Sequence, residues 1–301
     1  MSLDLNIDIP EPPVQQLYHP LLKKHNVKLF VKRDDLTHPL ISGNKWRKLK
    51  YNLAYAKEQN ISNLISFSGA FSNHLYALAG ASRLFGFSTN VIVRGPNLDA
   101  NNPCLKFAKA CGVKLIPVTR IEYRKRNDAG YLDNLANSNP NSLIIPEGGS
   151  NHFAIKGICE LAQTLPQTDH VFCATGSGGT LAGLIEGLPK NTSITGIAVL
   201  KQAEYLNDVI KKLSAKADTQ NNWQLITDKH YGGYGKFDSE LWQFCLSLKA
   251  QLPLEPIYTG KLLHSIFNYI EIGYFNPGST ILAIHTGGLQ GLTGLKYRGL
   301  I

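Results

Sequence analysis

No apolar run in the chain approaches the roughly 20 residues needed to cross a bilayer, so a membrane span is not expected. The first residues, MSLDLNIDIPEPP, lack the basic-then-apolar pattern of a secretion signal, and a cytoplasmic location is the expectation. Cysteine is scarce: Cys104, Cys111, Cys159, Cys173 and Cys245 are odd in number and scattered, with no CxxC pair and no histidine at zinc-ligand spacing. Free thiols are expected, without a disulfide framework or a metal. Solenoid-period repeats and low-complexity tracts are also missing. The net charge of +9 has no zinc-finger, RNP or KH signature beside it, which leaves nucleic acid without support and fits small anions or a solvated basic surface.

What is present is a globular composition, 43% hydrophobic and 18% charged over 301 residues. Short β-branched runs alternate with amphipathic segments, and strands are predicted at 28–34, 63–69, 89–95, 113–119, 142–149, 170–176, 193–200 and 280–288. That rhythm is the signature of βα units, and the fold class is α/β with parallel sheets covered on both faces. Several strands end in small or polar residues, at 66–70, 146–150, 174–180 and 285–288. Ligands of open α/β sheets bind at carboxyl strand ends, so these four turns are the candidate site. The stretch RIEYRKRNDAG (120–130) reads as a charged, solvated connection that could cover the crevice.

VFCATGSGGTLAGLIEG (171–187) reads as a buried strand, a glycine-rich turn and a helix. Successive backbone N–H groups and a helix N-terminus stabilise an anion there, and Thr175, Ser177 and Thr180 add hydroxyl donors. The lysine of a Walker loop and the 1-3-6 glycine spacing of a dinucleotide fingerprint are both missing. The turn therefore suits a single phosphate monoester, the alternative being plain strand-to-helix punctuation. In SGNKWRKLKYNLAYA the Ser-Gly-Asn is a plausible helix cap, with Lys45 in the first turn, where the dipole disfavours its charge. A reactive amine and one phosphate together suggest pyridoxal phosphate, whose aldehyde condenses with lysine. Lys48, three residues on, shares that helix face and reaches either the phosphate or solvent. A solvated lysine is the ordinary alternative for each.

Seven stretches in order carry a family resemblance: KRDDLTHPLISGNKWRKL, SGAFSNHLYALAG, IPEGGSN, ATGSGGTLAGL, YGGYGK, EPIYTGK and IHTGG. The chain resembles the pyridoxal-phosphate enzymes grouped as 1-aminocyclopropane-1-carboxylate deaminase and D-cysteine desulfhydrase, of the tryptophan-synthase-β-like fold (fold type II). The resemblance implies two open, twisted, parallel-type sheets flanked by helices, with a larger domain (1–51 and 159–301) and a smaller inserted one (52–158). It implies that Lys45 bonds the cofactor aldehyde, that Thr175 through Thr180 (Gly176, Ser177, Gly178 and Gly179 between them) hold the phosphate, and that Asn73 bonds the ring hydroxyl oxygen. Ser72, Asn73 and His74 would face the substrate, as would Tyr234 and Tyr258, with Ser72, Tyr234 and Tyr258 joining Lys45 in catalysis. A core role for the tyrosines and a cap role for Ser72 are the alternatives.

Thr259 matches the residue beside the pyridine nitrogen, which is glutamate in the cyclopropane deaminases and threonine in the desulfhydrases. The resemblance thus implies β-elimination from a small amino acid such as D-cysteine, giving a 2-keto acid, ammonia and sulfide. Ring-opening deamination, a catalytically silent pyridoxal-phosphate binder and, from the glycine-rich turn alone, a nucleotide-binding module stand as alternatives. A homodimer is implied by the family. Phe71 stands where members often carry glutamine, Glu147 fills a variable slot, and the chain is shorter than is typical.

Overall fold

The computed structural model describes residues 9–41 and 43–301. The N-terminal stretch through Asp8 and the predicted cap residue Ser42 lie outside the described residues.

Among the described residues ten strands form two sheets: β1 (Val14–Leu17), β2 (Lys28–Lys32), β3 (Asn63–Ser68), β4 (Ser88–Arg94), β5 (Lys114–Val118), β6 (Ser142–Ile145), β7 (His170–Thr175), β8 (Ser193–Ala198), β9 (Trp223–Ile226) and β10 (Thr280–Ile284). The larger sheet runs β1-β2-β10-β7-β8-β9 and the smaller β5-β4-β3-β6. Every pairing is parallel except β1 with β2. The eight predicted strands are present, whereas β1 and β9, four residues each and only partly buried, escaped the periodicity reading. The run predicted as 142–149 stops as a strand at Ile145, because Gly148 and Gly149 turn the chain with φ of +71°.

Twelve α-helices among the described residues cover the sheets: α1 (Pro20–Lys24), α2 (Asn44–Glu58), α3 (Asn73–Phe85), α4 (Pro103–Ala110), α5 (Arg120–Arg124), α6 (Ala129–Ser138), α7 (His152–Thr164), α8 (Gly179–Gly187), α9 (Leu206–Leu213), α10 (Ser239–Ser247), α11 (Thr259–Glu271) and α12 (Gly291–Tyr297). The segment expected as a solvated loop at 120–130 is instead α5, a 3-10 turn and the start of α6. Thr119 and Asp128 cap these helices through their side chains, Tyr123 buries against β3 and β4, and Arg126 turns inward over the Tyr123 ring to pair with Glu147.

Side chains of the central strands alternate between two covered faces. In β10, Ile281 and Ala283 join the core beneath α10 and α11, while Leu282 and Ile284 join that beneath α7 and α8. Around the small sheet, Trp46, Leu49 and Leu53 of α2 share a core with Leu64, Leu75 and Val91. The boundary expected at residue 51 therefore falls inside a helix.

Two close approaches set the start of α2. Gly43, at φ +73°, leaves no room for a side chain, since a Cβ there would lie 2.0 Å from the carbonyl oxygen of Thr286. Arg47 is buried and donates to both carboxylate oxygens of Asp34 (3.0 and 3.3 Å) and of Glu11 (2.8 and 3.0 Å). A buried guanidinium needs this paired, bidentate satisfaction.

Helix α7 crosses α2 with Gly157 against the backbone, where a Cβ would lie 1.9 Å from the carbonyl oxygen of Arg47. Gly157→Ala should force these helices apart and cost about 1–3 kcal/mol of stability, read as a lower midpoint in chemical denaturation. An unchanged midpoint contradicts this packing.

Candidate active site

The carboxyl ends of β3, β6, β7 and β10 face one crevice, and the four turns singled out in the sequence meet there. Following β7, Gly178 adopts φ +80° and serves as the N-cap of α8, leaving the first-turn N–H groups without intrahelical partners. A Cβ on Gly179 would lie 2.6 Å from Ser150 Oγ and 3.1 Å from Lys48 Cε, so glycine is required.

Lys48 closes this turn. Its Nζ donates to Ser150 Oγ (2.6 Å) and Ser177 Oγ (3.2 Å), and the two hydroxyls are 2.7 Å apart. Its side chain is 1% exposed, so the solvent alternative is excluded. Burial, then the charge of Lys45, push its pKa well below the ordinary lysine value. An amine with no carboxylate partner among the described residues, two convergent hydroxyls and an open helix N-terminus are together suited to a phosphate. His74 adds an unsatisfied group: its Nε2 meets Ser66 Oγ at 2.8 Å, while its buried Nδ1 has no partner among the described residues. Burial, with Lys45 and Lys48 beside it, lowers its pKa.

Lys45 sits in the first turn of α2, partly covered. Burial draws its pKa down to about 8, opposed by the negative charge of Glu147. The expected Ser-Gly-Asn cap is not the device used: the N-cap is Gly43 without a side-chain bond, and Asn44 reaches across to donate to Thr180 Oγ1 at 2.8 Å. That bond ties the Lys45 helix to the phosphate turn. Thr175 departs from expectation, because its hydroxyl packs between β7 and β8, 3.9 Å from Cys173 Sγ and 2.7 Å from where a Gly196 Cβ would lie.

Beside the cradle lies a small crevice lined by Phe71, Asn73, Tyr234, Tyr258, Gly288 and Arg298, among others. Tyr258 joins the two, its ring 3.2 Å from where a Gly176 Cβ would lie. Tyr234 meets Tyr258 edge-on with ring centroids 5.9 Å apart, and both rings line the crevice. Asn73 accepts from Gln290 Nε2 at 3.1 Å, and its amide bars a side chain at Gly288. Ser72 caps α3, its Oγ accepting from the His74 N–H at 3.1 Å, with the hydroxyl proton free to donate elsewhere. Phe71 packs beneath α12, where Arg298 lies over its ring at 5.4 Å.

Thr259 is wholly buried, and its N–H and Oγ1 both donate to Glu255 Oε1, at 2.7 and 3.0 Å. Glu255 also accepts from the N–H groups of Ile257 and Tyr258. Burial raises its carboxyl to about pKa 7 despite those bonds. Sequence reasoning missed Glu255, Ser150 and Asn44. An acidic residue just before a helix start was the available signal for the first, and the other two depend on contacts 27 and 136 residues apart.

The pattern of the family described as "Pyridoxal-phosphate dependent enzyme" matches residues 12–287. The chain belongs to that family. It is 32% identical over 93% of its length to a protein of Pyrococcus furiosus named "Putative 1-aminocyclopropane-1-carboxylate deaminase", 90% of which is covered. It is 30% identical to a D-cysteine desulfhydrase of Klebsiella pneumoniae, covering 93% of each chain. A solved structure described as an "ACC deaminase homologue" superposes with a TM-score of 0.83 at 28% identity, covering 97% of this chain and 95% of that one. The fold is the tryptophan-synthase-β-like fold of type II pyridoxal-phosphate enzymes, and the chemistry at family level is elimination or deamination of small amino acids.

The lowered pKa of Lys45 has a defined pH signature. Below about pH 8 its amine is protonated and inert; above, it is neutral and nucleophilic. Capture of pyridoxal phosphate by the cofactor-free protein, followed by visible absorption, should accelerate with a midpoint near pH 8 and then level off. A rate still climbing toward pH 10 contradicts the assignment.

Proposed function

We propose that the protein is a pyridoxal-phosphate-dependent lyase that catalyses β-elimination from a small amino acid of the D-cysteine type, releasing a 2-keto acid, ammonia and sulfide. Thr259 carries this reading. Its hydroxyl donates to Glu255, so to a ring nitrogen placed beside it, as the resemblance implies, it would offer only a neutral oxygen. Glu255 is itself neutralised by three N–H groups and the helix terminus. A neutral hydroxyl stabilises a protonated ring nitrogen less than a directly placed carboxylate would, leaving a weaker electron sink, which suits departure of a good leaving group over opening of a cyclopropane.

A bound pyridoxal phosphate would supply an electron sink for bonds broken at the substrate α-carbon. In this reading Lys48, Ser150, Ser177 and the N-terminus of α8 would hold its phosphate, and Asn73 would orient the ring. Ser72 and the α3 N-terminus receive the substrate carboxylate. The Lys45 amine, poised near neutrality, takes the α-proton. Tyr234 and Tyr258 wall the leaving-group side and exclude water. The balance is D-cysteine plus water giving pyruvate, ammonia and hydrogen sulfide. A homodimer and a cytoplasmic location accompany this reading as expectations, the first from the family resemblance and the second from the sequence.

The names of the Pyrococcus relative and of the solved homologue favour ring-opening deamination as the second reading. Incubation with D-cysteine should release pyruvate and sulfide in equal amounts, with 1-aminocyclopropane-1-carboxylate yielding 2-oxobutyrate about a hundredfold more slowly or not at all. Faster release from the cyclopropane substrate overturns the first reading in favour of the second.

A further inference from the structure

Lys261, the third residue of α11, is fully buried, yet no step above uses it. A cation in the first turn of a helix opposes the helix dipole, so other contacts must hold it. Its Nζ donates to the carbonyl oxygens of His230 and Gly233, both at 2.8 Å, with that of Val199 at 3.5 Å. None of these partners is a carboxylate. Rings of neutral carbonyl oxygens are what bind potassium and ions of its size, replacing their hydration shell.

Two of these carbonyls belong to one loop, and its backbone is left-handed at Tyr231, Gly232, Gly233 and Gly235, with φ of +51°, +86°, +106° and +69°. Such a run turns carbonyls inward, and for Tyr231 it is a strained conformation that surrounding contacts must impose. The same loop carries Tyr234 onto the edge of Tyr258 at the crevice.

We propose that Lys261 is a positioning residue whose ammonium acts as a tethered monovalent cation, anchoring the 228–236 loop and thereby setting Tyr234 against the crevice. Burial draws its pKa down to about 8 while the charge of Glu255 pulls the other way, so it stays protonated at neutral pH. The consequence for substrate rests on the proposed reading of the crevice; the anchoring of the loop does not.

The test is amide hydrogen exchange across residues 228–236 of the cofactor-loaded full chain, in potassium, ammonium or choline chloride at equal ionic strength. Exchange in the unaltered protein should be the same in all three. Lys261→Met keeps the bulk and loses the charge, and should exchange at least about tenfold faster in every salt. Lys261→Ala should match that rise in choline and fall back by about tenfold in potassium or ammonium; folding only in those two salts supports the proposal equally. Unchanged exchange in Lys261→Met overturns it, as does an unaltered protein that responds to potassium. So does a Lys261→Ala variant indifferent to both ions or unfolded in all salts. Absence of turnover with every amino acid would remove the crevice reading and leave these exchange results standing.

Discussion

The architecture turns on one buried ammonium. Lys48 cannot reach water, and the hydroxyls of Ser150 and Ser177 satisfy its hydrogen bonds without cancelling its charge. Burying an uncompensated charge is costly, so the group is driven toward neutrality until an anion arrives. The three residues come from α2, from the turn after β6 and from the turn after β7, so the demand of a single anion joins both sheets. Glycines at 43, 157 and 179 permit that convergence, each standing where a Cβ would strike its neighbours.

The division of labour along α2 follows. Arg47, clamped by Asp34 and Glu11, fixes the helix. Lys48 turns to the anion, and Lys45, on the first turn, is left partly covered and weakly basic. In the proposed reading one helix thus supplies a structural cation, a binding cation and a nucleophile, told apart by partners and burial rather than by residue type.

Much of this was legible in the sequence. The eight predicted strands announced themselves through β-branched runs, and the turn at 174–180 through its glycines, since both are local signals. Segment 120–130 misled because its charges suggested solvent, whereas Tyr123 anchors it through a single buried face. Thr175 misled because strand alternation, which decides where its hydroxyl points, does not stop at the glycine. Asn44 with Thr180, Lys48 with Ser150 and Lys261 with His230 pair groups far apart in the chain, and no local pattern foretells them. Glu255 was hidden for another reason: its motif was read for Tyr258 and Thr259, while the carboxylate that organises both stands just ahead of them.

The central claim is that Lys45 is the nucleophile and that the neighbouring lysines serve other purposes. Borohydride reduction of the protein loaded with pyridoxal phosphate, followed by peptide mapping, tests it most directly. The account predicts a single pyridoxyl adduct on Lys45. An adduct on Lys48 or Lys261, or no adduct and no visible colour after loading, would contradict it.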